Sequence, residues 1–233
     1  MKGGLSISQQ LIKAVKSKKD YIQLVNTLSS ISIEELSSRL ATDNQKKAFW
    51  LNIYNAYNII LLNNDSSVLL NSLSRKRHFS TKAISIAGYN LSLDSIEHGM
   101  IRNSKVWWSR GYLNKPIVSN FEKLMRIKQL DPRIHFALNC GATSCPAIRF
   151  YCDQQIEEQL EFATKTFLDS EVIYNQKNKS VKISRLFDWY IGDFGGKKGV
   201  LQFLSKYNAL PDKMVAKINY SEYSWEPMVG AFG

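Results

Sequence analysis

Two short stretches with a strand-turn-strand pattern constrain the fold of this chain more than any other feature. Residues 83–93 read as two strands around the turn Ala87-Gly88, and residues 172–183 read as two strands around a polar turn. Hairpins produce antiparallel pairs, and no regular strand-helix-strand repeat accompanies them. The sequence therefore predicts an α+β fold with helices and an antiparallel sheet. A last strand is expected within residues 220–225.

The N-terminal part of the chain is predicted to be helical. Apolar residues recur at helical spacing over residues 6–39, which indicates two helices, and Ser32 followed by Glu35 forms a capping box for the second. A third helix is expected over residues 42–62. Farther along, Asp153 is expected to cap a long helix.

Length and composition favour a single domain. The chain has 233 residues, 44% of them hydrophobic, which is enough for one sizeable core. No linker rich in proline, glycine or serine interrupts it, and no internal repeat is visible. We therefore predict one α+β domain over residues 44–233, with residues 1–43 as an N-terminal helical segment packed on it.

Apolar runs and cysteine usage bear on the compartment. Nothing reaches the roughly 18 apolar residues of a membrane span, so none is predicted. The N-terminal segment lacks the continuous apolar stretch of a signal peptide. Three cysteines, an odd number, argue against a disulfide framework. A cytoplasmic location is therefore the default expectation.

The net charge of +11 invites a nucleic-acid partner. The lysines are dispersed, however, and the densest basic clusters, at residues 75–77 and 197–198, are short. Neither cluster carries an RNA-binding or helix-turn-helix signature. We therefore expect a solvated basic surface rather than a nucleic-acid site.

Residues 131–146, with the sequence DPRIHFALNCGATSCP, concentrate the side chains that can carry chemistry. Residues 134–138 alternate large apolar side chains with His135 and Ala137, which is the period of a strand packed on a core. His135 is therefore expected to point away from the apolar face, toward the loop that follows.

That loop carries two cysteines. Gly141 permits tight backbone geometry, and Pro146 suits the first turn of a helix. Cys145 is therefore predicted to lie at a helix N-terminus, where the helix dipole would lower its pKa. Cys140, at the end of the predicted strand, is the alternative nucleophile.

Two other predicted helices place polar side chains among apolar ones. Glu97 and His98 are adjacent, so on an α-helix they point about 100° apart. We expect one of them to face a site and the other to brace the fold. Asn52 and Asn55 share one side of a mostly buried helix. They either tie a neighbouring loop to that helix or orient a catalytic group.

Four stretches, in this order along the chain, resemble motifs of the DUF547 family of bacterial and plant domains. They are KAFWLNIYNAYNI at residues 47–59, LSLDSIEHGMIR at 91–102, DPRIHFALNCGATSCP at 131–146 and LFDWYIGDFG at 186–195. The resemblance covers about residues 44–225. It implies one α+β domain with clustered Glu, His and Cys side chains, similar to papain-like or transglutaminase-like cysteine hydrolases, and no established substrate.

These residue types suit a cysteine-dependent hydrolase or acyltransferase acting on a peptide or a small molecule. Such an enzyme needs a thiolate, a base and a group that fixes the base. The candidate nucleophiles are Cys145 and Cys140, the candidate bases are His135 and His98, and the candidate orienting or supporting residues are Glu97, Asn52, Asn55 and Ser144. Backbone amides around Cys145 could hold an oxyanion.

Three other interpretations use the same residues. Cys140, Cys145, His135 and His98 are sufficient for a tetrahedral zinc site, although their spacing is unfavourable. The two cysteines could instead close a reversible disulfide. They could also merely pack beneath the groove of a binding module. Cys152 is expected to be a bystander, and neither a cofactor nor a metal is assigned.

Overall fold

The N-terminal helices expected from apolar periodicity are present in the computed structural model, which describes residues 6–211 and 216–233. Its α-helices are α1 (Ile7–Lys16), α2 (Ile22–Ser30), α3 (Ile33–Arg39), α4 (Asp43–Leu62), α5 (Ser72–Ser80), α6 (Asn120–Met125), α7 (Ile156–Glu171), α8 (Leu186–Trp189) and α9 (Gly196–Lys206). In this part of the chain, no helix has both the length and the apolar character needed to cross a membrane.

Residues 6–39 form three helices rather than the two expected. Ile31 is extended and ends α2, and Ser32 then starts α3 by accepting a hydrogen bond from the backbone N–H of Glu35 at 3.1 Å. The long helix α4 begins as predicted. Thr42 and Gln45 form a reciprocal capping box at its start, which satisfies two backbone N–H groups.

Both predicted hairpins form, and they confirm the α+β class. The strands are β1 (Ile84–Ile86), β2 (Tyr89–Leu91), β3 (Ile173–Asn175), β4 (Ser180–Ile183) and β5 (Lys217–Tyr220). β1 pairs with β2, and β3 pairs with β4, in antiparallel register. The turn residues Ala87 and Gly88 both have positive φ, which favours a tight hairpin turn.

The last strand differs from the expectation. It lies at residues 217–220 rather than 220–225, and β5 pairs with β4 in parallel, with Val181 opposite Ile218. The second sheet is therefore mixed rather than purely antiparallel. A parallel neighbour needs a long crossover connection, and α8 and α9 lie between β4 and β5 in the chain.

Apolar side chains form two clusters within the domain. The N-terminal core gathers α1, α4, β1 and β2, with Leu11, Trp50 and Ile84 fully buried. The C-terminal core gathers α9 and the second sheet, with Val181 and Val200 fully buried. Helix α1 packs on α4 in the first cluster, so residues before 44 share its core. A domain boundary at residue 43 stays a prediction.

The predicted strand at residues 134–138 is wrong. Residues 132–136 form a 3₁₀-helix, which Pro132 starts and the Asp131 side chain caps by accepting from the backbone N–H of Arg133 at 3.0 Å. Every residue from 134 to 139 is buried. The alternation therefore did not separate a core face from a solvent face.

The helix expected after Cys145 is also absent. Residues 140–155 run without a helix, and α7 starts at Ile156 with Gln155, not Asp153, as its N-cap. The backbone here bonds to the C-terminal segment instead. The N–H of Thr143 donates to the carbonyl of Glu226 at 2.9 Å, and further bridges follow at residues 142 and 148.

The segment Ser95–Ile101 is a π-helix rather than the expected α-helix. Its widened turns appear in the backbone bonds from Arg102 N–H to the Glu97 carbonyl and from Ser104 N–H to the Gly99 carbonyl, each spanning five residues. π-helical turns are rare and are found frequently at functional sites. The segment packs against the N-terminal core through Ile96, Met100 and Ile101, and it carries Glu97 and His98.

Candidate functional site

A cavity of about 340 Å³ lies where the N-terminal and C-terminal cores meet. Tyr54 and Leu138 of the first core form one side, and Leu186 with Trp189 beside the second core form the other. Its carboxyl, imidazole and sulfur groups come from Asp94, Glu97, His98, His135, Cys140 and Cys145. The structure thus brings together five predicted site residues that the chain spreads over about fifty positions, and both Glu97 and His98 face the cavity, where one of the two was expected.

The His135 imidazole is fixed by a carboxylate from the other core. Its Nε2 lies 2.8 Å from Oδ2 of Asp193, and the Arg102 guanidinium donates from Nε to the same oxygen at 2.6 Å. All three side chains are essentially excluded from water. Within residues 6–211 and 216–233, Nδ1 of His135 has no hydrogen-bond partner. Nε2 of His135 is therefore hydrogen-bonded, whereas Nδ1 has its hydrogen-bonding capacity unused by the described residues.

Burial and charge oppose each other at this pair. Burial lowers the pKa of His135, although the hydrogen bond that its Nε2–H donates to Asp193 acts to raise it. For Asp193, burial would favour the neutral acid. The contacts with His135 and Arg102 outweigh it and hold the pKa of Asp193 below its ordinary value. The site therefore presents a carboxylate beside a neutral imidazole near pH 7.

Glu97 occupies the centre of a second set of contacts. The Tyr190 hydroxyl donates to Oε1 at 2.7 Å and the Tyr54 hydroxyl donates to Oε2 at 3.4 Å. Burial alone would raise the pKa of Glu97, but the electrostatic interactions with His98 and Arg102 and the Tyr190 hydrogen bond hold it below its ordinary value. The Tyr190 ring also stacks on the His135 ring, with centroids 3.9 Å apart. Glu97 thus reaches His135 through Tyr190.

His98 differs from His135 in how its nitrogens are used. Arg102 donates from Nη1 to Nδ1 of His98 at 2.7 Å, and because arginine has no acceptor, this nitrogen carries no proton. Nε2 of His98 lies 3.7 Å from Oδ1 of Asp94. Burial lowers the pKa of His98 to about 4, so it is neutral near pH 7.

The carboxyl of Asp94, which is not among the site residues predicted from the sequence, also lines the cavity. It makes no side-chain capping bond. Burial, together with the neighbouring charge of Glu97, raises the pKa of Asp94 to about 7. The cavity therefore contains one carboxyl that is ionised and a second that titrates near neutrality.

The cysteines lie on a tight loop, residues 139–146, which we call the cysteine loop. Cys140 and Cys145 are joined by a disulfide, with Cα atoms 6.2 Å apart. The backbone N–H of Cys140 donates to Sγ of Cys145 at 3.0 Å. The Tyr223 hydroxyl lies 3.2 Å from each sulfur. Cys152 is the free cysteine.

Asparagines hold the cysteine loop in place. Asn55 accepts from the backbone N–H of Asn139 and donates to the carbonyl of Ala137, each at 2.9 Å. Asn139 itself accepts from the N–H of Gly141 at 2.8 Å and donates to the carbonyl of Pro146 at 2.7 Å. These bonds link the start of the loop to α4 and to its own end.

Two predicted supporting residues lie away from the cavity. Asn52 forms the same kind of paired bond with the backbone of Tyr151, at 2.8 and 3.0 Å. Ser144 accepts from the backbone N–H of Ser224 at 2.9 Å. Neither residue lines the cavity. The asparagine contacts are those of side chains that tie neighbouring chain segments to α4, the first of the two alternatives considered.

The zinc interpretation receives no support from the geometry. Among the residues that the structure describes, no group of three or more His, Cys, Asp or Glu side chains is arranged to hold a metal ion. Cys140 and Cys145 bond to each other instead.

Sequence reasoning missed the partners that organise the site. They are Arg102, Asn139, Tyr190, Asp193 and Tyr223. All except Tyr223 fall within the motif stretches that carry the family resemblance, so a signal was present. Tyr223 lies in the C-terminal segment, and nothing local in the sequence connects it to the cysteines.

Comparison with known protein families matches residues 38–168 to the family described as "Protein of unknown function, DUF547". This stretch is more than half of the chain and contains Glu97, His98, His135 and both loop cysteines. Asp193 and the last of the four motifs lie beyond it. No significant match was found among curated proteins or among solved structures. The chain belongs to the DUF547 family.

Proposed function

We propose that the protein is a cysteine-dependent hydrolase or acyltransferase in which His135 is the base. The observation that carries this proposal is the state of the His135 imidazole. Asp193 holds its Nε2, and its Nδ1 has no partner in the described part of the chain, in a cavity that both loop sulfurs line. Thiol nucleophiles are activated by an imidazole that a third group orients in this way.

His98 is the weaker candidate for the base. Its Nδ1 already accepts a hydrogen bond from Arg102, which cannot lose its proton. Protonation of that nitrogen would place two cationic groups in contact. Glu97 is a positioning residue in this proposal, because it holds the Tyr190 hydroxyl while the Tyr190 ring packs on His135.

Cys145 is the favoured nucleophile. The backbone N–H of Cys140 points at its sulfur, and a hydrogen bond to the charged form stabilises a thiolate. The described contacts give the Cys140 sulfur no such backbone donor. Stabilisation by a helix N-terminus, the reason expected from the sequence, does not apply because no helix begins there.

The reaction requires the dithiol form. An external thiol reductant supplies two electrons and two protons and opens the Cys140–Cys145 disulfide. The Cys145 proton then passes to Nδ1 of His135, and the thiolate attacks the acyl carbon of an amide or thioester. The leaving amine or thiol takes the proton from the imidazolium, which leaves a thioester on Cys145. Attack by water, or by an acceptor, releases the acyl group.

Asp193 has a defined part in these steps. The imidazolium that forms on His135 lies 2.8 Å from its carboxylate, so its charge is compensated without water. We place this activity in the cytoplasm, where thiols are kept reduced. The substrate class is a peptide or a small acyl compound that fits a cavity of about 340 Å³.

The test is to trap the acyl-enzyme. The reduced protein is mixed with p-nitrophenyl acetate, the release of nitrophenol is followed, and the acetylated peptide is identified by mass spectrometry. A burst with acetyl on Cys145 is expected. Cys145→Ser should abolish the burst, while Cys152→Ser, a matched change at a cysteine away from the cavity, should leave it unchanged. A burst that persists in Cys145→Ser would disprove this nucleophile.

The disulfide itself favours a second candidate function, thiol–disulfide exchange. Cys140 and Cys145 form a bond on the cavity wall, five residues apart, and both sulfurs contact Tyr223. In this function the reduced pair would transfer two electrons to a substrate disulfide. Reduction of insulin by the dithiol form, lost in Cys140→Ser and retained in Cys152→Ser, would identify it. Absence of both activities would leave a ligand-binding module.

A further inference from the structure

A hairpin beside the cavity exposes an unusual number of large apolar side chains. Residues 104–115 fold back on themselves through a bridge between Lys105 and Asn114 and through Val106 N–H donating to the Leu113 carbonyl at 2.9 Å. Within residues 107–117, five large hydrophobic side chains are exposed: Trp107 and Trp108 at 60% each, Tyr112 at 59%, Leu113 at 50% and Ile117 at 87%. Clusters of this kind mark interaction sites more often than single exposed residues do.

The hairpin backbone is fixed, so this exposure is a feature of the fold. Gly192 donates its N–H to the Arg110 carbonyl at 2.8 Å, and its backbone lies directly against Gly111. A Cβ at Gly192 would approach the Gly111 carbonyl carbon to 2.6 Å, so only glycine permits the contact. The hairpin is thus held against the turn before α9 while its aromatic side chains face solvent.

Helix α5 extends the same surface with basic residues. Lys76 Nζ lies 5.4 Å from the centre of the Trp107 ring, which places the helix beside the hairpin. Leu73, 69% exposed, lies one turn before Lys76 and Arg77 and shares their side of the helix. We call these residues, together with the exposed residues of 107–117, the hairpin–α5 surface.

The charge of this region has one sign. Residues 66–93 and 103–121 contain no aspartate or glutamate, and they carry seven lysines and arginines. Arg110 and Lys115 pair with acidic residues from elsewhere in the fold. Arg77 forms no ion pair with any described residue. Lys76 forms none either, although its charge acts on the Asp94 carboxyl, so both cations can bind an anionic partner. Such a partner should be anionic and able to accept apolar side chains.

We propose that the hairpin–α5 surface docks the protein on a membrane that contains anionic phospholipids. Tryptophan and tyrosine are the side chains that favour the interface between headgroups and acyl chains, and nearby lysine and arginine bind anionic headgroups. Single-stranded nucleic acid also binds aromatic and basic surfaces, but through stacking of bases. The side chains of Leu73, Leu113 and Ile117 cannot stack on bases, whereas burying their apolar surface among acyl chains is favourable in free energy.

The proposal is independent of the chemistry assigned to Cys145 and is tested on the oxidised protein. Sedimentation with vesicles of phosphatidylcholine alone is compared with sedimentation with vesicles of phosphatidylcholine and phosphatidylserine in equal amounts. We expect partitioning to be at least about tenfold stronger on the mixed vesicles and to weaken as salt is added. The paired change Lys76→Gln with Arg77→Gln should remove most of this preference.

Apolar contacts are tested separately. Trp108→Ala and Ile117→Ala should each weaken partitioning several-fold, and neither residue lines the cavity. The matched controls are Phe162→Ala on α7 and Ile22→Ala on α2, at exposed sites of similar size in other parts of the fold. These controls should bind vesicles as the unchanged protein does.

Two results would overturn the proposal. One is equal partitioning on both vesicle types. The other is a Trp108→Ala variant that binds vesicles normally but loses binding to a single-stranded oligothymidine, which would identify a nucleic-acid surface instead. The folded state of each variant is checked by its urea midpoint, so a loss of binding cannot come from unfolding.

Discussion

The two walls of the cavity are built in different ways. The charged wall presents Glu97, His135 and Tyr190 to the cavity, and the fully buried Arg102 and Asp193 support it without lining the cavity. Its bonds join side chains that are far apart in the chain, such as His135 and Asp193 at 2.8 Å. The cysteine loop is held by neutral carboxamides that bond to the backbone, with Asn139 bridging Gly141 and Pro146. One wall depends on buried charge and the other on amide hydrogen bonds.

This difference bears on how the site works. Removing one partner from a buried ion pair costs about 3–5 kcal/mol, because the remaining charge is left in a dry environment. Breaking a neutral buried hydrogen bond costs about 1–3 kcal/mol. We infer that the base is rigidly placed, while the loop that carries the nucleophile tolerates the change between disulfide and dithiol.

The largest effect is expected from Asp193→Asn. Arg102 would lose its buried counter-charge, so we expect unfolding to become easier by about 3–5 kcal/mol in urea titrations. The matched control is Asp188→Asn, five residues earlier, whose pair with Arg110 is partly exposed. Surface pairs contribute less than about 1 kcal/mol. Equal losses in the two variants would contradict the distinction between a buried and a surface pair.

A smaller effect is expected from Asn139→Ala. The change leaves the Gly141 N–H and the Pro146 carbonyl without their bonds, at a cost of about 1–3 kcal/mol. The cysteine loop should also be reduced faster by dithiothreitol, because its two ends are no longer tied together. Asn64→Ala, at an exposed position just after α4, is the control and should change neither quantity. An unaltered reduction rate in Asn139→Ala would show that the asparagine does not hold the loop.

The smallest effect concerns pH and Asp94. Its pKa is about 7 in the folded protein, above its ordinary value of 3.8, so the folded state binds the proton more tightly. The contribution of Asp94 to stability is thus largest below about pH 4, and it is lost as the pH rises to about 7. Asp94→Asn removes this loss. The free energy of unfolding of the variant should therefore equal that of the unchanged protein at pH 4 and exceed it at pH 8.

Solvent screening of the half-buried Asp94 side chain limits this gain to the order of 1 kcal/mol. Urea midpoints of the two proteins at several pH values measure it. His98 titrates in both proteins, so the difference between them isolates Asp94. A difference that is already present at pH 4 and does not grow with pH would refute the assigned titration.

The elements that the sequence predicted well depend on local signals. The capping box of Thr42 and Gln45 starts α4, and the Ala87-Gly88 turn closes the first hairpin. The strand predicted at residues 134–138 failed because it was too short for alternation to be decisive and because both of its faces are buried. Pro132 carried the better local signal, the start of a helical turn.

The site was predictable in part. The clustering of polar side chains on core-packed elements indicated Glu97, His98, His135 and the two cysteines, and all five line one cavity. Their partners were not predictable from spacing. Asp193 lies 58 residues after His135, and only the packing of the C-terminal core against the N-terminal core brings them together. The π-helix was not predictable either, because its sequence reads as an ordinary amphipathic helix.

The most direct test of the account is the pH dependence of Cys145 alkylation. Reduced protein is treated with iodoacetamide, and the rates at Cys145 and Cys152 are read from the same digests, with Cys152 as the internal reference. We predict that Cys145 reacts with an apparent pKa below the ordinary thiol value of about 8.5, and that His135→Ala and Asp193→Asn both raise it. Identical profiles for the two cysteines, or a Cys145 profile that neither substitution changes, would contradict the claim that the His135–Asp193 pair activates this thiol.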